Sequence, residues 1–363
     1  MKKITKYVPL WCIIMAGIAL LCAVIHIISV CSVAFSDFFN RTVAAFFRLI
    51  LAKLTGFIPF SLAEMLIILL PLIVGLTIFF AVKQLKKNIS VKIRFLASLL
   101  AVLTFFYSSF VLTFATAYRG STLDVKLSLE RAKLSANELY ETSMKVLYEL
   151  NEAEKAVNFK ENGFSEMPYG HRGLNKELNV AYAKACEKYP FLQKMKSNVK
   201  SVLLSEPMTY THISGVYTFF TGEANLNVNF PDYTLPFTMA HEMAHQRGIA
   251  RENEANFVAF LVCIESDDAY IRYSAYLNML EYLTNALYKA DKEKYKAVVN
   301  QLSDNVIGEL IAYDDFFDKY RDSVASDVSN AVNNSYLQSQ GQTSGTRSYG
   351  LVVELAVAYY KNK

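Results

Sequence analysis

The sequence contains no glycine-rich phosphate loop and no Ser/His/Asp arrangement, so neither nucleotide-phosphate binding nor serine-type acyl transfer has residues to carry it. Nor does it carry much charge of one sign: 37 Lys and Arg stand against 33 Asp and Glu, a formal net charge of +4. The basic residues gather beside apolar segments rather than in an aromatic-interleaved patch, which excludes a nucleic-acid partner. No heptad is sustained long enough for a coiled coil. Cysteine is limited to five residues. Cys12, Cys22 and Cys31 lie in or beside an apolar run and read as small hydrophobes. Cys186 and Cys263 fall in the more polar part, where a disulfide stays open if that part is exported, although Cys263 belongs to an apolar helical face. Histidine is as sparse, at five.

Long apolar runs, by contrast, are plentiful. With 363 residues, 53% of them hydrophobic, there is material for a membrane part and one sizeable soluble domain. Residues 8–31, about 57–82 (with Pro71 inside) and about 95–118 are each long enough to span a bilayer. Between the second and third runs lie Lys83, Lys86, Lys87, Lys92 and Arg94 without an acid, so the positive-inside rule puts this connector in the cytoplasm. The N-terminal Lys2, Lys3 and Lys6 agree, because an even number of spans separates the two. Everything after Tyr118 is then outside. Residues 41–56 set Arg41, Arg48 and Lys53 among apolar positions, as an amphipathic segment at the interface would, or a short re-entrant piece. The spans lack paired charges and discontinuous repeats, which disfavours a transporter. The expected organisation is a membrane domain over 1–118, whose partner is the lipid bilayer, and an extracytoplasmic domain over 119–363.

Two of the five histidines stand four apart in HEMAHQRGIARENEAN, residues 241–256. On a helix His241 and His245 share a face one turn apart, so both imidazoles can reach one zinc ion. Glu242 lies beside that face, where a carboxylate can take a proton from a zinc-polarised water and pass it to a leaving amine, so it is the expected general base. Thr234 is placed to cap this helix, Pro236 suits its first turn, and Gly248 supplies the positive φ that ends it. A second helix starts near Ala250 and continues into the apolar run FVAFLVCI. It offers two acids as third ligand. Glu252 and Asn256 share a face, while Glu254 points roughly 160° away from Glu252. Glu252 is preferred and Glu254 stays open; Asn256 would then orient a ligating histidine from behind.

Elsewhere, helical periodicity runs through 121–150, 174–188 and about 267–332, and 158–173 is turn-rich and contains His171. Short β-type runs with Gly and Pro punctuation occupy 198–229. The polar loop 337–350 leads into LVVELAVAYY, too short to span and so a buried core helix. That loop could fold back on the site, making Arg347 and Tyr349 candidate oxyanion donors. The fold class is α+β, mainly helical, with three N-terminal transmembrane helices.

HExxH followed by ExxAN resembles the gluzincin metallopeptidases, whose two histidines and downstream glutamate bind zinc. Asn256 stands where many gluzincins have aspartate, and only six residues separate His245 from Glu252. HExxHxxG also resembles metzincins, but their third histidine would fall at Arg251, which cannot ligate. The chain is more closely similar to an uncharacterised family of bacterial membrane proteins with a zincin-like motif, through Thr221–Asn225 (TGEAN), His241–Gly248, Glu252–Phe257 and Ser348–Gly350. The resemblance implies a zincin-like catalytic domain with a small sheet whose edge strand, expected at 223–229, pairs with substrate backbone. Glu223, Asn225 and Asn227 would then be substrate-binding, with His212 facing the cleft or bonded structurally. The implied activity is a multi-pass zinc metallopeptidase of the bacterial membrane acting on an envelope peptide or protein. The rival is a catalytically inactive zinc-binding receptor or scaffold.

Overall fold

The computed structural model describes residues 7–340, Gln342 and 349–362. The chain divides into two compact units, Met1–Gly120 with Thr218–Glu223, and Ser121–Tyr217 with Ala224–Lys363.

The first unit is helical: α1 (Leu10–Cys31), α2 (Val33–Phe39), a π-helical turn (Asn40–Ala44), α3 (Ala45–Gly56), α4 (Leu62–Leu85) and α5 (Ile89–Thr113). Helices α1, α4 and α5 are long and apolar enough to cross a membrane, with mean hydropathies of 2.7, 2.9 and 2.1. Capping sets where they begin. Ser61 Oγ accepts the Glu64 N–H at the start of α4, and Asn88 Oδ1 accepts the Val91 N–H at the start of α5. The basic connector therefore shrinks to a turn, and Lys83, Lys92 and Arg94 ride on helix ends. Helix α1 packs on α5, where Cys22 and Val111, with Ala115 just past the end of α5, form a small buried cluster. Most large side chains of α4 face outward, as a bilayer-facing helix requires.

The interfacial reading of 41–56 is corrected at Arg48. Its guanidinium is buried and donates to Asn40 Oδ1, the Asn40 carbonyl and the Thr113 carbonyl, each at 2.8 Å. Three fixed acceptors replace the headgroup and water that an interfacial arginine would use.

The second unit is mainly helical with two small sheets. Helices α6 (Leu123–Leu127) and α7 (Ala136–Glu154) precede a two-stranded antiparallel pair, β1 (Asn158–Phe159) and β2 (Ser165–Glu166). Then come α8 (His171–Lys188), β3 (Lys200–Ser201), α9 (Ser205–Thr209), β4 (Gly215–Thr218) and β5 (Glu223–Leu226). Among the described residues there follow a 3-10 turn (Asp232–Thr234) and the α-helices α10 (Leu235–Gln246), α11 (Glu252–Ile264), α12 (Ala269–Ala290), α13 (Lys292–Val299), α14 (Asp304–Asp318), α15 (Val324–Ser339) and α16 (Tyr349–Lys361).

Helix α11 occupies the centre of this unit. Phe257 to Cys263 are all buried, against α8, α10, α12 and α16. A helix apolar all round has nowhere but a core to sit, and each large side chain contributes about 1.5–3 kcal/mol there. Val352, Val353, Leu355, Ala356 and Val357 of α16 are buried in the same core, as expected of a short apolar terminal helix. Cys186 and Cys263 are buried free thiols, and Cys263 Sγ lies 3.9 Å from the Pro236 carbonyl.

Candidate metal centre

The site is built on the turn between α10 and α11. At the start of α10 the Phe237 N–H donates to Ser274 Oγ at 3.2 Å, so a donor of the first turn is met from α12. Thr234 makes no cap: its hydroxyl donates to the Pro231 carbonyl at 2.8 Å, correcting the expected role. At the other end Gly248 takes φ +83°, and Ile249 N–H returns to the Ala244 carbonyl at 3.1 Å. This reversal carries the Ile249 carbonyl to 2.7 Å from His245 Nδ1. A carbonyl only accepts, so Nδ1 carries the proton and Nε2 keeps its lone pair for a ligand.

The same reversal starts α11 at Glu252. Glu252 Oε2 lies 3.2 Å from His241 Nε2 and 3.5 Å from His245 Nε2. The two rings stand 4.5 Å apart at 89°. One ligand atom from each of His241, His245 and Glu252 falls within 4.8 Å of the others, and this is a grouping that could hold a metal ion. Two imidazoles and a carboxylate are a donor set zinc accepts, so the residues fit the ion the sequence implied. Glu254 points elsewhere, accepting from the Leu123 N–H at 3.0 Å and from Arg251 Nη1 at 2.9 Å.

Glu242 is buried, and its Oε2 has no hydrogen-bond partner among the described residues. Burial raises its pKa, Glu252 raises it further, and the two histidines only partly offset this. Burial alone would lower the pKa of His245, but the Glu252 carboxylate outweighs it and, with Glu242 and the Ile249 carbonyl, holds the ring at about 9. Burial opposes ionisation of Glu252, yet His245 and His241 hold it well below the usual carboxylate range.

The remaining expected site residues are not gathered here. Asn256 is buried on α11, but the Nδ1 of His245 belongs to Ile249, and His241 Nδ1 is buried without a hydrogen-bond partner among the described residues. The strand expected at the cleft edge is internal, because the sheet runs β3-β5-β4 with β3 parallel to β5, leaving β4 as an edge. Glu223, Asn225 and Asn227 are accordingly buried. Asn225 Nδ2 donates to the Val216 carbonyl at 3.1 Å, and Asn227 Nδ2 to Thr209 Oγ1 and the Ile213 carbonyl. His212 has φ +57°, and its Nε2 is 2.8 Å from the Tyr320 carbonyl. Arg347 and the side chain of Tyr349 lie outside the described residues.

Two residues escaped the sequence reading. Gly215, at the start of β4, lies so close to Glu242 that a Cβ there would be 2.6 Å from both Cγ and Oε1. A single glycine opening a short β run signals no such contact. Arg247, inside the motif itself, is buried with its guanidinium 3.8 Å over the Tyr182 ring and donates to Ser197 Oγ, the Met195 carbonyl and the Met243 carbonyl. It pins the segment before β3 to the end of α10.

A family model described as "Protein of unknown function (DUF3810)" matches residues 39–357. No curated protein and no solved structure matches the chain.

Proposed function

The chain belongs to the DUF3810 family, and we propose that it is a membrane-anchored zinc metallopeptidase of gluzincin type, its zincin-like second unit hydrolysing peptide bonds outside the cytoplasm. The observation that carries the reading is the meeting of His241, His245 and Glu252 beside the buried Glu242. His241 Nε2, His245 Nε2 and a Glu252 oxygen would hold the ion. When bound, zinc supplies Lewis acidity toward water and a peptide carbonyl. Glu242 takes a proton from the attacking water on a carboxylate oxygen and delivers it to the leaving amide nitrogen. Burial shifts its pKa upward, the direction in which a carboxylate becomes a better proton acceptor. Ile249 fixes the His245 tautomer, and Gly215 packs closely on the Glu242 carboxylate. The substrate class is a peptide or protein of the envelope. The three apolar helices support a multi-pass membrane location, and the basic turn between α4 and α5 supports an outward-facing second unit.

Zinc content and cleavage of a mixed peptide library by the full chain test this reading. Wild type should bind one zinc and cleave in a chelator-sensitive way, and Glu252→Ala should lose both. Glu242→Gln should keep zinc and lose about 10²–10⁴-fold in kcat. Zinc binding with no cleavage by wild type would favour a zinc-stabilised receptor or scaffold. No zinc in any form would sink both.

A further inference from the structure

Ions drawn into the first unit meet partners there. Arg48 has its three acceptors, and the buried Glu223 carboxylate accepts the Leu62 and Ala63 N–H groups at the start of α4, each at 3.1 Å. Arg119, which ends the 3-10 turn Ala115–Arg119 after α5, is treated differently. The residue is half-buried, its Nε is buried without a hydrogen-bond partner, and its guanidinium makes no ion pair among the described residues. The Asp37 carboxylate stands instead at Gly120, where a Cβ would fall 2.5 Å from Asp37 Oδ1. A cation partly withdrawn from water with no acid to meet it calls for an anion from outside the chain.

Arg119 is close enough to act electrostatically on His26 of α1, and His26 opens onto a groove between α1 and α5 of about 400 Å³. That volume lies within the range of small-molecule sites, roughly 300–1,000 Å³. Ala23, Ile27 and Val30, at i, i+4 and i+7 on one face of α1, form its apolar wall. His26 and Tyr107 supply its polar groups, and their Nδ1 and Oη are 3.5 Å apart. That is longer than the roughly 2.7–3.2 Å of a good hydrogen bond, so each keeps capacity for another partner. His26 lies five residues before the end of α1 and Tyr107 six before the end of α5, so both stand roughly 8 Å in from the helix ends at 1.5 Å per residue. An aromatic belt at the membrane boundary would account for Tyr107 alone, not for a histidine beside an unpaired arginine.

We propose that Arg119, His26 and Tyr107 bind the phosphate of an anionic phospholipid, with one acyl chain lying along Ala23, Ile27 and Val30 in the groove between α1 and α5. Phosphate oxygens only accept, and a guanidinium fork, an imidazole N–H and a phenol O–H all donate. The occupant is a lipid rather than a free ion because the groove is walled by apolar side chains on a helix long enough to cross a bilayer, with Ile27 64% and Val30 56% exposed. A net negative headgroup is favoured because Arg119 brings an unmatched charge, whereas a zwitterionic one brings a second cation with it. The site lies within the first unit and asks nothing of the hydrolase reading.

The test places the full chain in nanodiscs of equal parts phosphatidylglycerol and phosphatidylcholine, and native mass spectrometry of the released chain counts the lipid it retains. The variants are Arg119→Gln, Tyr107→Phe, Ile27→Trp and, as a control, Lys53→Gln, an exposed cation elsewhere in the unit. Wild type should retain phosphatidylglycerol over phosphatidylcholine by about tenfold or more, the scale of hydrogen bonds to a charged group. Arg119→Gln should abolish the preference, and Tyr107→Phe should lower it about two- to fivefold. Ile27→Trp, which fills the groove, should reduce retention of both lipids, and Lys53→Gln should change neither. No preference in wild type, an undiminished preference in Arg119→Gln, or an equal loss in Lys53→Gln overturns the proposal, the last by assigning the preference to surface charge at large. If Arg119→Gln yields no folded chain, Tyr107→Phe decides, and an undiminished preference there overturns it. Added inorganic phosphate should leave the lipid in place, and its displacement would overturn the lipid as occupant in favour of a soluble anion. No turnover is read, so failure of the hydrolase reading leaves the outcome unaffected.

Discussion

Gly215 gives the sharpest handle at the scale of single residues. Gly215→Ala adds one methyl group where the Glu242 carboxylate lies, so that side chain must move while the three ligands need not. The expected result is full zinc content with kcat down about 10–100-fold, the cost of misplacing a reacting group by about an ångström. Retained kcat would show that Glu242 has slack. Glu254 tests the opposite case. Its side chain is 5% exposed and pairs with Arg251 and the Leu123 N–H, so Glu254→Ala should lower unfolding stability by about 3–5 kcal/mol while zinc binding survives. Denaturant unfolding and metal analysis of one preparation separate the two effects. Loss of zinc from a folded Glu254→Ala protein would move the third ligand. Much of this was legible in the sequence, since the four-residue spacing of His241 and His245 and the shared face of Glu252 follow from helix geometry. The contact of Gly215 with Glu242 was not, because it joins residues from different elements.

Among the elements, α12 carries a charge it would be easier without. Glu281 follows the buried Leu280, and burial pushes its carboxyl pKa up to about 7. A carboxyl pKa raised on folding adds stability that is complete below the unfolded value of 4.5 and lost as pH climbs through 7. Glu281→Gln should therefore match wild type near pH 4 and exceed it above pH 7 by roughly 1–3 kcal/mol. Melting curves at both pH values check this, and a variant less stable at pH 8 would mean the ionised carboxylate has a partner that stabilises it. Elements also show where local pattern stops. The apolar run after Asn256 declared a buried helix, and α11 is one. The strand order did not declare itself. β3 is two residues long and joins β5 in parallel from the far side, turning the expected edge strand into a central one.

Orientation is a property of the whole molecule. If the turn between α4 and α5 is cytoplasmic, a membrane-impermeant maleimide applied to intact spheroplasts should label Lys292→Cys and spare Lys87→Cys, in a chain where the exposed Cys31 is replaced by serine. Both positions lie outside the apolar helices, so accessibility reports the side of the membrane. Labelling of Lys87→Cys alone would invert the topology and put the site in the cytoplasm.

By itself the sequence determined the three apolar helices, the mainly helical character of the chain beyond them, and the helix–glycine–helix frame that carries two histidines and a glutamate. Each is written in spacing along one element, and hydropathy and helical periodicity are local quantities. Tertiary structure alone decided that Arg48 turns inward, that Ile249 rather than Asn256 fixes the His245 ring, that Glu223 caps a membrane helix, and that Gly215 lies on Glu242. Those contacts are made by backbone groups and small residues meeting across elements distant in the chain. A carbonyl, an N–H or a missing side chain looks the same at every position until the fold brings its partner to it.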